Sequence, residues 1–153
     1  MATLGTFTAG QVLTAAELNA IGTWTTYTPT FTNLTVGNGT VAFAYTRINK
    51  LVHVNGTFTL GSTSSVGNNP IFTLPVTRHT TANELIGIGL LGDSGTGNYM
   101  AMPFGTSTNI DCYLFRADHT VGSTVLEGGI TATSPMTWTT NDFIYVNLTY
   151  RAA

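Results

Sequence analysis

The chain has 153 residues, enough for one domain with its own core, which at that length buries roughly 68–70% of the unfolded surface. Only 8% of its residues are charged, against about 25% in ordinary globular chains, and five bases among seven acids give a net charge of −2 with no basic run, which argues against binding a phosphate backbone. The single cysteine, Cys112, excludes an intrachain disulfide; no apolar run reaches the ~18 residues of a membrane span, and no basic-then-apolar leader opens the chain, so a soluble protein outside the classical secretion route is expected.

Residues 1–22 differ from the rest. Thr14-Ala-Ala-Glu17 is a capping-box pattern, followed by Leu18, Ala20 and Ile21 and then Gly22 as a stop, which predicts a short helix of about two turns. So short a helix persists only if Val12, Leu13, Leu18 and Ile21 dock on something, either their own domain or a neighbouring subunit or assembly. From Trp24 the pattern turns to period two. Trp24 to Phe31 reads as a threonine-rich strand that Pro29 places at an edge or bulge. Gly37-Asn38-Gly39 is a turn into the framework hairpin, Thr40 to Leu60, where Val41, Phe43 and Tyr45 and then Val52, Val54 and Phe58 alternate about a reversal at Ile48-Asn49-Lys50. Gly61 to Asn69 reads as a polar loop and Pro70 to Val76 as a short strand. Arg78 to Asn83 reads as a polar connection. Glu84 to Leu91 and Asn98 to Phe104 form a second hairpin with Asp93-Ser-Gly-Thr-Gly97 at its tip. Asn109 to Arg116 is a strand with Ile110, Cys112 and Leu114 on one face and Tyr113 and Phe115 on the other, and Ala117 to Pro135 is looser. Thr139-Thr-Asn-Asp142 is a turn before a last strand, Phe143 to Tyr150, with Ile144, Val146, Leu148 and Tyr150 inward. Seven to nine short strands with regular turns make an all-β sandwich, jelly roll or small barrel.

No residue set spells out chemistry. Gly92-Asp-Ser-Gly95 matches the tetrapeptide around a serine-protease nucleophile, but no Asp lies between His53 and Asp93 to complete the triad, and a hairpin tip accounts for it. Gly87-Ile-Gly-Leu-Leu-Gly92 fits the dinucleotide fingerprint, yet no helix can follow it; Gly87 and Gly89 are expected to admit a close neighbour. Asp93, Thr96 and Asn98 offer oxygens to a hard cation with one carboxylate among them, and His53, His79 and His119 are scattered, so neither a metal nor a cofactor is expected. Among seven acids no pair suggests a hydrolase, and the expectation is a protein that is not an enzyme. Trp24, Tyr27, Tyr99, Tyr113, Trp138 and Tyr145 could stack on sugars or, more simply, cap the core and fill subunit seams.

Four stretches carry a resemblance: Phe7-Thr-Ala-Gly-Gln-Val-Leu-Thr-Ala-Ala-Glu-Leu-Asn-Ala-Ile21, Trp24-Thr-Thr-Tyr-Thr-Pro-Thr-Phe31, Val36-Gly-Asn-Gly-Thr-Val41 with Tyr45-Thr-Arg-Ile-Asn-Lys-Leu-Val-His-Val-Asn-Gly56, and Pro135-Met-Thr-Trp-Thr-Thr-Asn-Asp-Phe-Ile144. They resemble small fibre-type virion proteins of tailed bacteriophages, the minor tail, receptor-binding and head-fibre modules. The turn that often reads Ile-Gly-Lys there is Ile48-Asn49-Lys50 here. The resemblance implies a jelly-roll-like antiparallel β-sandwich of about eight strands at residues 23–153, preceded by a short helix within an adaptor at residues 1–22. It further implies a homotrimer in the virion, assembled in the host bacterial cytoplasm, without nucleic acid or membrane insertion. Val12, Leu13, Leu18 and Ile21 are then the candidates for attachment to other virion proteins, and Asp93, Thr96, Asn98 and Tyr99 those for contact with a host cell-surface glycan. The alternative role is capsid decoration without receptor binding.

Overall fold

The computed structural model describes residues 9–10, 12, 14–80, 82–106, 108, 111–120 and 124–153. Helix α1, Ala15–Ala20, starts where the capping box places it: the Thr14 hydroxyl accepts from the Glu17 N–H at 3.2 Å, and the Glu17 carboxylate accepts from the Thr14 N–H at 2.8 Å and its hydroxyl at 2.9 Å. These bonds, the backbone one foremost, hold the Glu17 carboxyl below its usual value. Six residues make less than two turns, and Gly22 at φ +78° turns the chain away from the helix.

After α1 every strand pairing among the described residues is antiparallel. Strands β1 (Thr25–Tyr27), β2 (Phe31–Thr35), β3 (Thr40–Ile48), β4 (Leu51–Thr59), β5 (Ser65–Thr73), β6 (Glu84–Leu85), β7 (Gly87–Asp93), β8 (Gly97–Gly105), β9 (Asp111–Thr120), β10 (Thr124–Gly129) and β11 (Phe143–Arg151) share one hydrogen-bonded sheet. Its order is β1-β3-β4-β11-β7-β8-β9-β5-β2, with β10 beside β9 and β6 beside β8. The ladder is thus continuous, and it curls until its two ends face each other. Phe31 of β2 lies 6.1 Å from Phe43 of β3 and 5.6 Å from Phe58 of β4, while Phe43 lies 5.6 Å from Phe72 of β5. Those rings form the middle of the core that a sandwich keeps between two sheets. The connection between the two ends is Thr28-Pro29-Thr30, where the chain leaves β3 for β5. Pro29, buried and without an N–H, sits at that change of partner and satisfies the rule that proline avoids a central ladder.

Alternation does what the sequence predicts in the long strands. Val52, Val54 and Phe58 of β4 and Ile144, Val146 and Leu148 of β11 are buried, and the two strands pair from Phe143↔Thr59 to Arg151↔Leu51. The framework hairpin turns at Asn49, whose φ of +53° is the left-handed conformation that asparagine tolerates. Cys112 and Leu114 are buried as expected; Ile110 and the side chains of Tyr113 and Phe115 lie outside the described residues.

Two boundaries differ from expectation. Ser65 to Asn69 is strand rather than loop, because Leu34↔Val66 and Thr35↔Ser65 pair it with β2, and a register shift beside Asn33 at φ +58° keeps both ends in phase. The looser region from Ala117 contains the end of β9 and all of β10, paired from Ala117↔Glu127 to Thr120↔Thr124. In both segments ladder pairing overrides a composition without an apolar period, from a distant strand for β5 and from the adjacent hairpin strand for β10.

Candidate functional site

The register across β1, β3, β4, β11, β7 and β8 maps the outer face of the sheet in rows. Ile48, Leu51 and Arg151 stand side by side at the hairpin end; Thr46, His53 and Thr149 form the next row; Ala44, Asn55, Asn147 and Ile88 follow, and then Ala42, Thr57, Tyr145, Leu90 and Met100. Hydrogen bonds tie the middle rows together. The Thr149 hydroxyl pairs with the His53 ring at 2.9 Å, and the Tyr145 hydroxyl accepts from Asn55 at 2.7 Å and from Asn147 at 3.4 Å. Trp24 stands edge-on to His53 with ring centroids 5.5 Å apart. His53 is therefore on the outer face, as the alternation of Val52 and Val54 predicts.

The hairpin end is where α1 lies. A Cβ on Gly22 would meet Ile48 Cδ1 at 3.7 Å and Thr46 Oγ1 at 3.9 Å, so the chain leaving the helix runs over this corner. The helix buries none of its residues: Val12 before it is 88% exposed, and Leu18 and Ile21 are exposed too, while Leu13 lies outside the described residues. The same hairpin end carries exposed cations. Arg151 pairs across from Leu51, the main-chain carbonyl of Lys50 accepts from the Ala152 N–H at 2.7 Å, and Arg47, opposite inward Val52, donates through Nε to the Asn49 carbonyl at 2.6 Å.

At the far end, the β7–β8 tip carries Asp93, Thr96, Asn98 and Tyr99. The turn is closed by Thr96 N–H donating to the Asp93 carbonyl at 3.0 Å over Gly95 at φ +88°. Asn98 pairs with outward Gly92 and Tyr99 with inward Leu91, so the two point to opposite faces and the four do not converge on one surface. No group of three His, Cys, Asp or Glu poised for a metal occurs among the described residues. Ser94 of the protease-like tetrapeptide is held by its backbone: its N–H donates to Asp142 Oδ1 at 2.9 Å, and His53 lies at the other end of the sheet. The glycines of the dinucleotide-like run do admit a close neighbour. A Cβ on Gly87 would collide with the Asn147 carbonyl, and one on Gly89 would come within 2.5 Å of the Tyr145 carbonyl.

Asp142 is an anchor that sequence reasoning gives only as part of a turn. Fully buried, it accepts from Ser94 N–H, from Thr139 N–H at 2.6 Å and from the Thr139 hydroxyl at 3.3 Å, joining the β7–β8 tip to the turn before β11. The Thr139-to-Asp142 spacing is the local signal for half of it; the bond to Ser94 spans 48 residues and has none. Arg78 is a second such residue. It reads as part of a polar connection yet is fully buried, paired with Glu84 at 2.8 Å and donating to the Ala82 carbonyl at 3.2 Å and the Thr106 carbonyl at 2.5 Å. Its guanidinium occupies the space that a side chain at Gly105 would fill.

A cleft of about 380 Å³ opens where β1 ends along β3, lined by Thr26, Tyr27, Thr28, Val41, Ala42, Phe43, Ala44 and Asn55. The size suits a small ligand, but the lining has no ionisable group apart from Tyr27. That phenol faces inward toward Tyr150 and Cys112, and burial pushes its pKa well above the usual value, with those two groups adding to the shift. The cleft can hydrogen-bond and enclose; it offers neither an acid–base pair nor a nucleophile. Of the aromatics singled out from sequence, Tyr27 and Trp138 pack on the core, Trp138 also donating to the Thr131 carbonyl at 2.9 Å, whereas Trp24 and Tyr99 stay exposed and Tyr145 anchors the polar rows. No family model matches the chain, no curated protein is similar to it at a level that marks a relative, and no solved structure matches its fold.

Proposed function

We propose that this chain is a structural component of a bacteriophage virion: a homotrimeric β-sandwich head carried on an N-terminal adaptor, with the β7–β8 tip presented to the host surface. The observation that carries the proposal is α1, a capped helix that buries no residue of its own against the domain while Val12, Leu18 and Ile21 stay in water. An isolated helix of this length is not self-supporting, so its apolar side needs a surface from another molecule. The low charge of the chain supports the same reading, since subunits packed side by side need few solvated ions. The resemblance of residues 7–21, 24–31, 36–41 with 45–56, and 135–144 to fibre-type virion proteins supplies the setting. Val12, Leu13, Leu18 and Ile21 are the proposed attachment residues. Strands of nine residues, about 30 Å long, separate that end from Asp93, Thr96, Asn98 and Tyr99, the proposed receptor-facing positions.

Light scattering of the purified chain should give three times 16.2 kDa, and a monomer would refute the trimer. Antibody labelling of particles of the encoding phage should mark the virion; unlabelled particles would remove it from the particle. Binding to whole host cells separates a receptor-binding module from a decoration protein, which should not bind.

A further inference from the structure

Four exposed apolar side chains stand together on the outer face: Leu85, Ile88, Leu90 and Met100 are 55, 63, 39 and 56% exposed. Leu90 pairs with Met100 on one side and Tyr145 on the other, Ile88 lies opposite Asn147, and Leu85 opposite Phe104. Ile86, Gly89, Leu91 and Ala101, their sequence neighbours, are buried, so alternation turns the four away from the core. At these exposures they leave on the order of 400 Å² of apolar surface in water, within the range of the largest patch on a typical monomer, where such patches often mark an interaction site. That is about half of the ~800 Å² each partner contributes to a standard interface. Half-buried Met102, Phe104 and Tyr145 flank the patch and extend it toward that size.

The described outward positions of β7, β8 and β11 carry no formal charge. None of the outward positions from Phe143 to Thr149 on β11, from Ile88 to Gly92 on β7, or from Asn98 to Phe104 on β8 is Asp, Glu, Lys or Arg. Copies of such a face brought together about a three-fold axis meet without like-charge repulsion and strand no ion in a dry seam. A charged partner surface would have to desolvate its ions against leucine and isoleucine, with no group to receive them. The surface beside α1 is the opposite case: Ile48 and Leu51 stand there with Arg151 in their row and Lys50 at the turn, and a second copy would bring like charges together.

We infer that the outer face of β6, β7 and β8 is buried against a second copy of this chain, with Ile88 and Met100 at the centre of the seam. The seam presupposes the oligomer proposed above and gives it a surface. Sedimentation equilibrium of the full chain tests it with Ile88→Lys, Met100→Lys and, at the other apolar surface, Leu51→Lys. All three replace side chains that already face water, so the fold should survive, which circular dichroism and the thermal midpoint check. The expected result is a wild-type mass that is a multiple of 16.2 kDa, a fall to 16.2 kDa in Ile88→Lys and Met100→Lys, and the wild-type mass in Leu51→Lys. Should one lysine variant fail to fold, the other decides. Folded variants at positions 88 and 100 that keep the wild-type mass overturn the seam and leave the oligomer standing. A monomeric wild type removes both, and loss of association in Leu51→Lys alone moves the seam to the hairpin end.

Discussion

Replacing Asp142 by alanine isolates the contribution of a single buried carboxylate to this fold. Its oxygens receive the Ser94 N–H at 2.9 Å and the Thr139 N–H and hydroxyl at 2.6 and 3.3 Å, and its side chain has no exposed surface. In Asp142→Ala both N–H groups lose their acceptor. A buried donor left unpaired costs about 1–3 kcal/mol, and bonds to a charged acceptor stand at the upper end of the scale. Both donors are only partly buried, so water recovers some of this, and the expected loss is about 3–4 kcal/mol from a total of about 5–15. For a domain of this length that lowers the thermal midpoint by about 6–15 °C. Asp142→Asn keeps one acceptor oxygen and should lose about 1–2 kcal/mol. Urea unfolding followed by tryptophan fluorescence reads both, with an unchanged slope showing that only stability has moved. An alanine variant within about 0.5 kcal/mol of wild type, the range of neutral surface changes, would refute the anchoring role.

Arg78 and Cys112 give two further expectations. Glu84→Gln should cost about 1–2 kcal/mol, because Glu84 is 38% exposed and solvent screens the pair, while Gly105→Ala, which drives a methyl into the Arg78 guanidinium, should cost about 2–3 kcal/mol. A reversed order in denaturant unfolding would show that Arg78 has room to move. Burial, chiefly, pushes the Cys112 thiol above its usual 9.0 and the Tyr27 and Tyr150 phenols above their usual 10.0. Raised acids favour the folded state fully below their unfolded values, so stability should hold to about pH 8.5 and fall as pH climbs through 9.0 and then 10.0. The urea midpoint against pH measures this, and a thiol reagent should label Cys112 only on unfolding; ready labelling of the native protein at neutral pH would contradict its burial.

Much of the fold is legible in the chain. The alternation of Val52 to Phe58 and of Ile144 to Tyr150, the Asn49 turn and the Thr14–Glu17 cap are all local signals, and each has its local structural counterpart. Trp24 to Phe31, by contrast, read as one strand with Pro29 at an edge or bulge, is two strands separated at Pro29. β5 before Pro70 and β10 are not legible, since Gly, Ser, Asn and Thr carry no apolar period and become strands only when β2 and β9 lie beside them. The candidate site is less legible still. Leu85, Ile88, Leu90 and Met100 read only as members of the second hairpin, and nothing nearby in sequence says that Leu91 and Ala101 take the inside.

The sequence by itself determined an antiparallel all-β chain led by one short helix, because period two, turn residues and caps act over a few residues and need no distant partner. Only the tertiary structure decided that the strands form a single curled ladder closed through Pro29, that Arg78 and Asp142 are buried, and which apolar residues remain in water. Those outcomes depend on pairings between residues far apart in the chain. Burial is set by what the far strand brings, and a one-residue change of register would exchange the two faces.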